Sequence, residues 1–144
     1  MPTARTSQAV SRPAPYRFTA PVSTLSRLFV PAAVDLVTMI DFIEHLERDE
    51  AMSALKDAEL VASRRVVLFT PRGHFPQADY DALNLGGEAF QRHRSEWDVA
   101  DLRALGYAVI VLDGFHDDRN VAFVHAFGRG ARPVDALIAW KTLD

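Results

Sequence analysis

The feature that most constrains this 144-residue chain is the segment from Val34 to Leu46, V-D-L-V-T-M-I-D-F-I-E-H-L. Five of its first seven residues are apolar, a pattern typical of a strand buried on both faces of a parallel sheet. Asp41, Glu44 and His45 follow directly. Because open α/β sheets bind ligands at the carboxyl ends of such strands, the segment predicts one edge of a functional site.

A helix and a second strand are predicted after this segment. Asp49 and Glu50 place negative charge in the first helical turn, which the helix dipole favours. Ser63 and Arg64 are expected to close the helix, and the run R-V-V-L-F-T from Arg65 to Thr70 is an apolar, β-branched strand. Strand, helix and strand in this span predict a βαβ crossover with two parallel strands.

A long segment of low periodicity runs from residue 71 to residue 94 and leaves the same edge of the sheet. Connections of this length in a compact domain are usually functional or disordered. The segment carries Gly73, Phe75, Gln77 and His93. We expect it to be a lid or a substrate-binding loop.

The second half of the chain is predicted to complete the sheet. Ser95 and Gly106 are expected to bound a helix, and Tyr107–Leu112 is a predicted third strand. Val121–Phe127 is predicted as a fourth strand. The connector of about eight residues is too short for a parallel crossover, so these two strands are expected to be antiparallel. Val134–Trp140 is expected to form a short helix, and the predicted strand order is one, two, four, three.

The composition excludes several classes of protein. A net charge of −3 argues against general affinity for nucleic acids. The absence of cysteine excludes disulfides and cysteine-based zinc sites. No apolar run approaches the ~20 residues of a membrane helix, so we expect a cytoplasmic chain without membrane contact. Residues 1–21 are predicted to be a disordered or poorly ordered tail, and residues 22–144 to form one domain.

Three stretches occur in an order that is informative. They are the Val34–Leu46 segment, V-V-L-F-T-P-R-G at 66–73, and F-Q-R-H-R-S-E-W at 90–97 before D-L-R-A-L-G-Y at 101–107. In this order they resemble the C-terminal half of class I S-adenosylmethionine-dependent methyltransferases. The resemblance implies an α/β fold: a partial Rossmann-like methyltransferase sheet of parallel strands plus a C-terminal antiparallel hairpin, with helices on both faces.

The family's Gly-rich cofactor turn, and the acid that ends its second strand, should lie upstream of residue 22. Neither is present there. The only G-x-G, from Gly128 to Gly130, lacks the third glycine and the helix of a cofactor motif. We therefore expect a truncated family member.

The resemblance implies methyl transfer from S-adenosylmethionine, and we expect the acceptor to be an oxygen of a small molecule or saccharide. Asp41, His45 and His93 are the candidate catalytic residues, since a positioned carboxylate or imidazole can take a proton from a hydroxyl. Ile40 and Asp41 are expected to contact the cofactor. His116 is assigned no part in the site and is expected to be a surface or core residue. The expected substrate-binding residues are Glu44, Gly73, Phe75 and Gln77.

Two alternatives stay open. Some relatives, the small-RNA 2′-O-methyltransferases among them, hold a divalent metal with Glu-x-x-Glu-His and a distant His. Asp41, Glu44, His45 and His93 match that pattern with a shorter first acid, although a bound metal is not our main expectation. The other alternative is a non-catalytic interaction module, in which a second copy or a partner chain covers an open sheet edge at Val34–Ile40.

Without the Gly-rich turn, residues 1–144 alone are expected to bind S-adenosylmethionine weakly or not at all. Titration calorimetry on the purified chain, with circular dichroism to establish that it is folded, measures this affinity. A micromolar dissociation constant would contradict the expectation.

Overall fold

The computed structural model of this chain describes residues 19–77 and 88–143. Within these ranges, five α-helices accompany one four-stranded sheet, and short 3-10 turns precede α1 and follow β1. In chain order the elements are α1 (Leu25–Leu28), β1 (Val34–Ile40), α2 (Arg48–Val61), β2 (Ala62–Pro71), α3 (Glu88–Gln91), α4 (Val99–Ala104), β3 (Ala108–His116), α5 (Val121–Phe127) and β4 (Val134–Thr142).

The strand order is β1-β2-β4-β3. β1 and β2 are parallel, whereas β4 is antiparallel to both β2 and β3. The predicted α/β class and the βαβ crossover are confirmed. The order one, two, four, three is also observed, but its fourth strand is a different segment from the predicted one. Two predictions lie partly outside the described residues. They are the tail predicted at 1–21, for its residues 1–18, and the predicted lid, for its residues 78–87.

The prediction of the fourth strand is wrong. Val121–Phe127 is helix α5 and not a strand. The Asn120 side chain accepts hydrogen bonds from the backbone N–H groups of Ala122 and Phe123, which is N-cap geometry. Gly128, with a φ of 84°, follows the last helical residue. An apolar run flanked by these two signals forms a helix.

The true fourth strand is β4, where a short helix was expected. β4 lies between β2 and β3, so both of its backbone edges are paired. The last two strands are antiparallel as predicted, but the short-connector argument does not apply, because residues 117–133 with α5 lie between them.

Two helix boundaries also differ from expectation. α2 ends at Val61, so Ser63 and Arg64 belong to β2 instead of closing the helix. The N-cap of α4 is Asp98, which forms a capping box with Asp101. The Ser95 hydroxyl, expected as that cap, instead donates to the Ile43 carbonyl.

The main core lies on one face of the sheet. Met39, Leu68 and Leu137, from three strands, are almost fully buried there against helix residues such as Leu55 and Leu102. The opposite face of β1 is different. Leu36 and Ile40 are exposed by 51% and 54%, so the expectation of a strand buried on both faces is wrong for β1, which is an edge strand.

The strand directions decide which side chains can meet. β3 is antiparallel to β4, and β4 is antiparallel to β2. β3 therefore runs in the same direction as β1 and β2, and all three carboxyl ends lie at one edge of the sheet. In the part of the chain that the structure describes, no helix has the length and apolar character needed to cross a membrane.

Candidate functional site

A cavity of about 740 Å³ lies at the carboxyl ends of β1, β2 and β3. Its walls come from the turn after β1, the segment after β2, the loop around His93 and the end of β3. The site therefore lies where open α/β sheets keep their ligands.

Asp41 begins the turn after β1. Its φ is 46°, an unusual value for a residue other than glycine, although aspartate tolerates it better than most. The Asp41 backbone N–H donates to the Phe69 carbonyl at 3.0 Å, which holds the turn against β2. Burial raises the pKa of the Asp41 carboxyl, while the charges of His116 and His45 act in the opposite direction. The sharp turn thus directs the chain into the cavity.

Glu44 is a buried acid in the 3-10 turn Ile43–His45, with 3% of its surface exposed. Its Oε2 accepts a hydrogen bond of 2.9 Å from the Thr70 hydroxyl at the end of β2. Its Oε1 has no hydrogen-bond partner within the described residues. Burial raises the pKa of Glu44 to about 7. Glu44 therefore changes between its acid and its carboxylate near neutral pH.

The two histidines of the site are neutral bases at neutral pH. Burial lowers the pKa of His45, and burial together with the charge of His45 lowers that of His93 to about 4. His45 Nδ1 lies 3.3 Å from the Arg92 carbonyl, which can only accept, so Nδ1 carries the proton. The lone pair of His45 is then on Nε2, which lies 4.0 Å from Glu44 Oε1.

The loop that carries His93 is held by backbone hydrogen bonds. The N–H groups of Arg94 and Ser95 both donate to the Glu44 carbonyl, at 2.7 and 3.1 Å. The His93 N–H donates to the Gln77 carbonyl at 2.8 Å. As a result the rings of His45 and His93 meet edge to face, with centroids 4.8 Å apart.

Glu44, His45 and His93 form a donor set suited to a divalent cation. One ligand atom from each lies within 4.8 Å of the others. Ligand atoms of one ion lie about 3–4 Å apart, so closing the set needs side-chain shifts of about 1 Å. Neutral imidazoles and an unpartnered carboxylate oxygen are the forms that bind metal. The residues present therefore fit such an ion.

The structure brings together most of the residues that the sequence predicted. Phe75 and Gln77 line the same cavity as Asp41 and the Glu44–His45–His93 set. Gln77 Nε2 also donates to the Gln91 carbonyl at 3.0 Å.

Gly73 does not line the cavity: its N–H donates to the Trp97 carbonyl at 2.8 Å. Ile40 does not line the cavity either and points out from the edge strand.

His116 and Asn120 are site residues that the sequence analysis missed. Both line the cavity, and His116 is 5% exposed. The predicted third strand ended at Leu112, whereas β3 continues to His116 and delivers it to the edge where Asp41 lies. Asn120, just before Val121–Phe127, was an available signal for a helix cap, but no local pattern placed His116 at the edge of the sheet.

No protein-family model matches this chain, and no curated protein does. A solved S-adenosylmethionine-dependent methyltransferase from Archaeoglobus fulgidus is similar with a TM-score of 0.52 and 16% identity, over 86% of this chain and 66% of that one. The methyltransferase domain of bacterial CtHen1 is 21% identical with a TM-score of 0.46, over 88% of this chain and 60% of that one. This chain therefore spans less than two thirds of the length of either structure. Its fold is methyltransferase-like, as the sequence predicted.

The raised pKa of Glu44 predicts a pH-dependent stability. Between about pH 4.5 and 7 the folded chain holds a proton that the unfolded chain releases, so the free energy of unfolding falls as the pH rises. A shift of this size corresponds to about 3 kcal/mol. Glu44→Gln removes the ionisation, and we expect it to be more stable than the original chain at pH 8 by up to that amount, with little difference at pH 4.5.

Urea unfolding in EDTA at both pH values measures this difference. Glu96→Gln is the matched control, because Glu96 is 60% exposed and outside the cavity. A Glu44→Gln chain that is less stable than the original at pH 8 would contradict the prediction.

Proposed function

We propose that this chain provides the acceptor side of an S-adenosylmethionine-dependent O-methyltransferase site, assisted by a divalent cation. The observation that carries the proposal is the Glu44–His45–His93 donor set inside a cavity at the strand ends of a methyltransferase-like sheet. The sequence predicts Glu44 as a substrate-binding residue. Its Oε1, which has no hydrogen-bond partner within the described residues, supports a role in binding the cation instead.

S-adenosylmethionine supplies an electrophilic methyl group when it is bound. We assign Ile40 and Asp41 to its contact surface. Asp41 lines the cavity and supports this assignment, whereas Ile40, which precedes it at the end of β1, is half exposed just outside the cavity. Methyl transfer depends mostly on alignment of the two reactants, so the rigid turn at Asp41 is suited to holding an acceptor in position.

The donor set supports a hydroxyl oxygen as the methyl acceptor. A cation held by Glu44, His45 and His93 would supply positive charge that favours the ionised form of a nearby hydroxyl. The Asp41 carboxylate is also available to accept a proton from such a hydroxyl. Phe42 and Phe75 contribute apolar walls to the same cavity.

Small molecules and saccharides remain the proposed acceptors. The cavity, at about 740 Å³, is within the usual size for such ligands. Its walls combine aromatic rings with carboxylates and imidazoles, which suits a hydroxylated ligand.

Manganese(II) binding tests the proposed donor set. We expect titration calorimetry at pH 8 to detect binding, and binding should weaken at pH 6 because Glu44 is then protonated. His93→Ala should lower the affinity for Mn²⁺ by at least about tenfold. Loss of a residue that only orients a metal ligand already lowers metal affinity about tenfold or more, and His93 is itself a proposed ligand. His74→Ala is the control, because His74 is exposed and outside the cavity. Absence of binding, or equal affinity in the two variants, would contradict the proposal.

A second candidate function is that of an interaction module. Within residues 19–77 and 88–143, β1 is an edge strand that pairs with no strand on its outer side, and Leu36 and Ile40 are half exposed on it. Natural proteins usually protect such apolar edges. We propose a second copy of this chain as the partner that covers β1.

Sedimentation velocity tests this pairing. We expect the original chain to be dimeric and Leu36→Lys to be monomeric, since a charge on an edge strand opposes edge-to-edge association. Leu60→Lys is the control, because Leu60 is exposed by 46% but lies on α2. A monomeric original chain, or equal behaviour of both variants, would contradict the dimer.

A further inference from the structure

Two buried side-chain polar atoms have no hydrogen-bond partner within the described residues: Glu44 Oε1 and His116 Nε2. Both belong to residues that line the same cavity. A buried polar atom without a partner costs about 1–3 kcal/mol, so each one points to a group that the site receives from outside. The cation proposed above accounts for Glu44 Oε1. It does not account for His116 Nε2.

The protonation of His116 follows from Asn120. The Asn120 side-chain oxygen accepts from the N–H groups of Ala122 and Phe123, which fixes the orientation of the amide. The amide nitrogen Nδ2 therefore faces His116 Nδ1, at 3.3 Å. An amide nitrogen can only donate, so Nδ1 must hold a lone pair. In the neutral ring the proton is then on Nε2, and the unpartnered atom is a donor.

The surroundings of His116 limit what can accept this hydrogen bond. The ring packs against Phe75, with centroids 5.3 Å apart, and against Phe69 at 6.3 Å. Asp41 is the charged group whose field acts on His116. In the chain without a cation, a phosphate or carboxylate at Nε2 would be repelled by the Asp41 carboxylate. A hydroxyl can accept from His116 and donate to Asp41 at the same time, so it satisfies both groups without adding charge.

We propose that His116 is a substrate-binding residue whose Nε2–H donates to a hydroxyl of the substrate, while that hydroxyl donates to Asp41. His116 is then a donor and not a general base, because Nε2, its nitrogen without a hydrogen-bond partner among the described residues, carries the proton. The inference rests on the proposed function only in taking this cavity as the acceptor site, and it assigns as the substrate class compounds that place a hydroxyl group at this position.

The first test is the tautomer of His116, which needs neither methyl donor nor cation. Two-bond hydrogen–nitrogen correlation spectra of the chain labelled with ¹⁵N-histidine distinguish protonated from unprotonated ring nitrogens. We expect the proton on Nε2, with the His116 signals identified by their loss in His116→Gln. Asn120→Thr keeps an N-cap oxygen but has no amide donor, and it should give a mixture of tautomers. A proton on Nδ1 in the original chain would overturn the inference, as would an unchanged tautomer in Asn120→Thr.

The second test is the ligand class. Methyl α-D-glucopyranoside is the hydroxylated probe, tetrahydropyran is the same ring without hydroxyls, and inorganic phosphate is the anionic acceptor. We expect only the glucoside to shift the His116 Nε2 signal. A shift with phosphate and not with the glucoside would overturn the hydroxyl assignment. The absence of a shift with every probe would show that the donor meets only water.

The variants complete the test. His116→Gln keeps an N–H donor close to the position of Nε2 and should retain glucoside affinity, whereas His116→Leu should weaken it about fivefold, the value of one hydrogen bond. His74→Gln is the control outside the cavity and should behave as the original chain. Equal affinity of the Gln and Leu variants would overturn the inference. Failure of Mn²⁺ binding alone would contradict the proposed function and leave these results standing.

Discussion

Glu44 is the residue on which the organisation of the site depends. Its side chain accepts from the Thr70 hydroxyl, which joins the turn after β1 to the end of β2. Its carbonyl accepts from the N–H groups of Arg94 and Ser95, which brings the loop with His93 onto the same turn. Three segments that are distant in sequence are therefore held together through one residue. That residue is a buried acid, and one of its carboxyl oxygens has no hydrogen-bond partner in the described part of the chain, so the junction of the three segments is itself polar.

Burial explains the chemistry of the surrounding groups. It raises the pKa values of Asp41 and Glu44 and lowers those of His45 and His93, since the charged form of each group is disfavoured away from water. Uncharged imidazoles beside weakly acidic carboxyls can coexist at close range without repulsion. A cation reverses this balance, because it stabilises the carboxylate and uses the imidazole lone pairs. The same cavity thus suits a metal on one wall and, at His116, a hydroxyl on the other.

The sheet topology explains why His116 belongs to this cavity. β4 enters between β2 and β3 in the antiparallel direction, so β3 runs with β1 and β2 and ends at the same edge. β1 remains at the outside of the sheet with Leu36 and Ile40 half exposed. The edge strand that begins the site is therefore also a candidate contact surface.

The sequence alone determined the elements whose signals are local. The apolar run of β1, the acidic first turn of α2 and the spacing of Asp41, Glu44 and His45 follow from neighbouring residues. The cavity lies at the edge of the sheet that they predicted. V-A-F-V-H-A-F fits a strand or a helix, and the cap from the neighbouring Asn120, a local signal that the sequence analysis did not use, selects the helix. Tertiary structure decided the rest. His116 entered the site only because β4 inserts into the middle of the sheet, a long-range pairing that no local pattern of residues encodes.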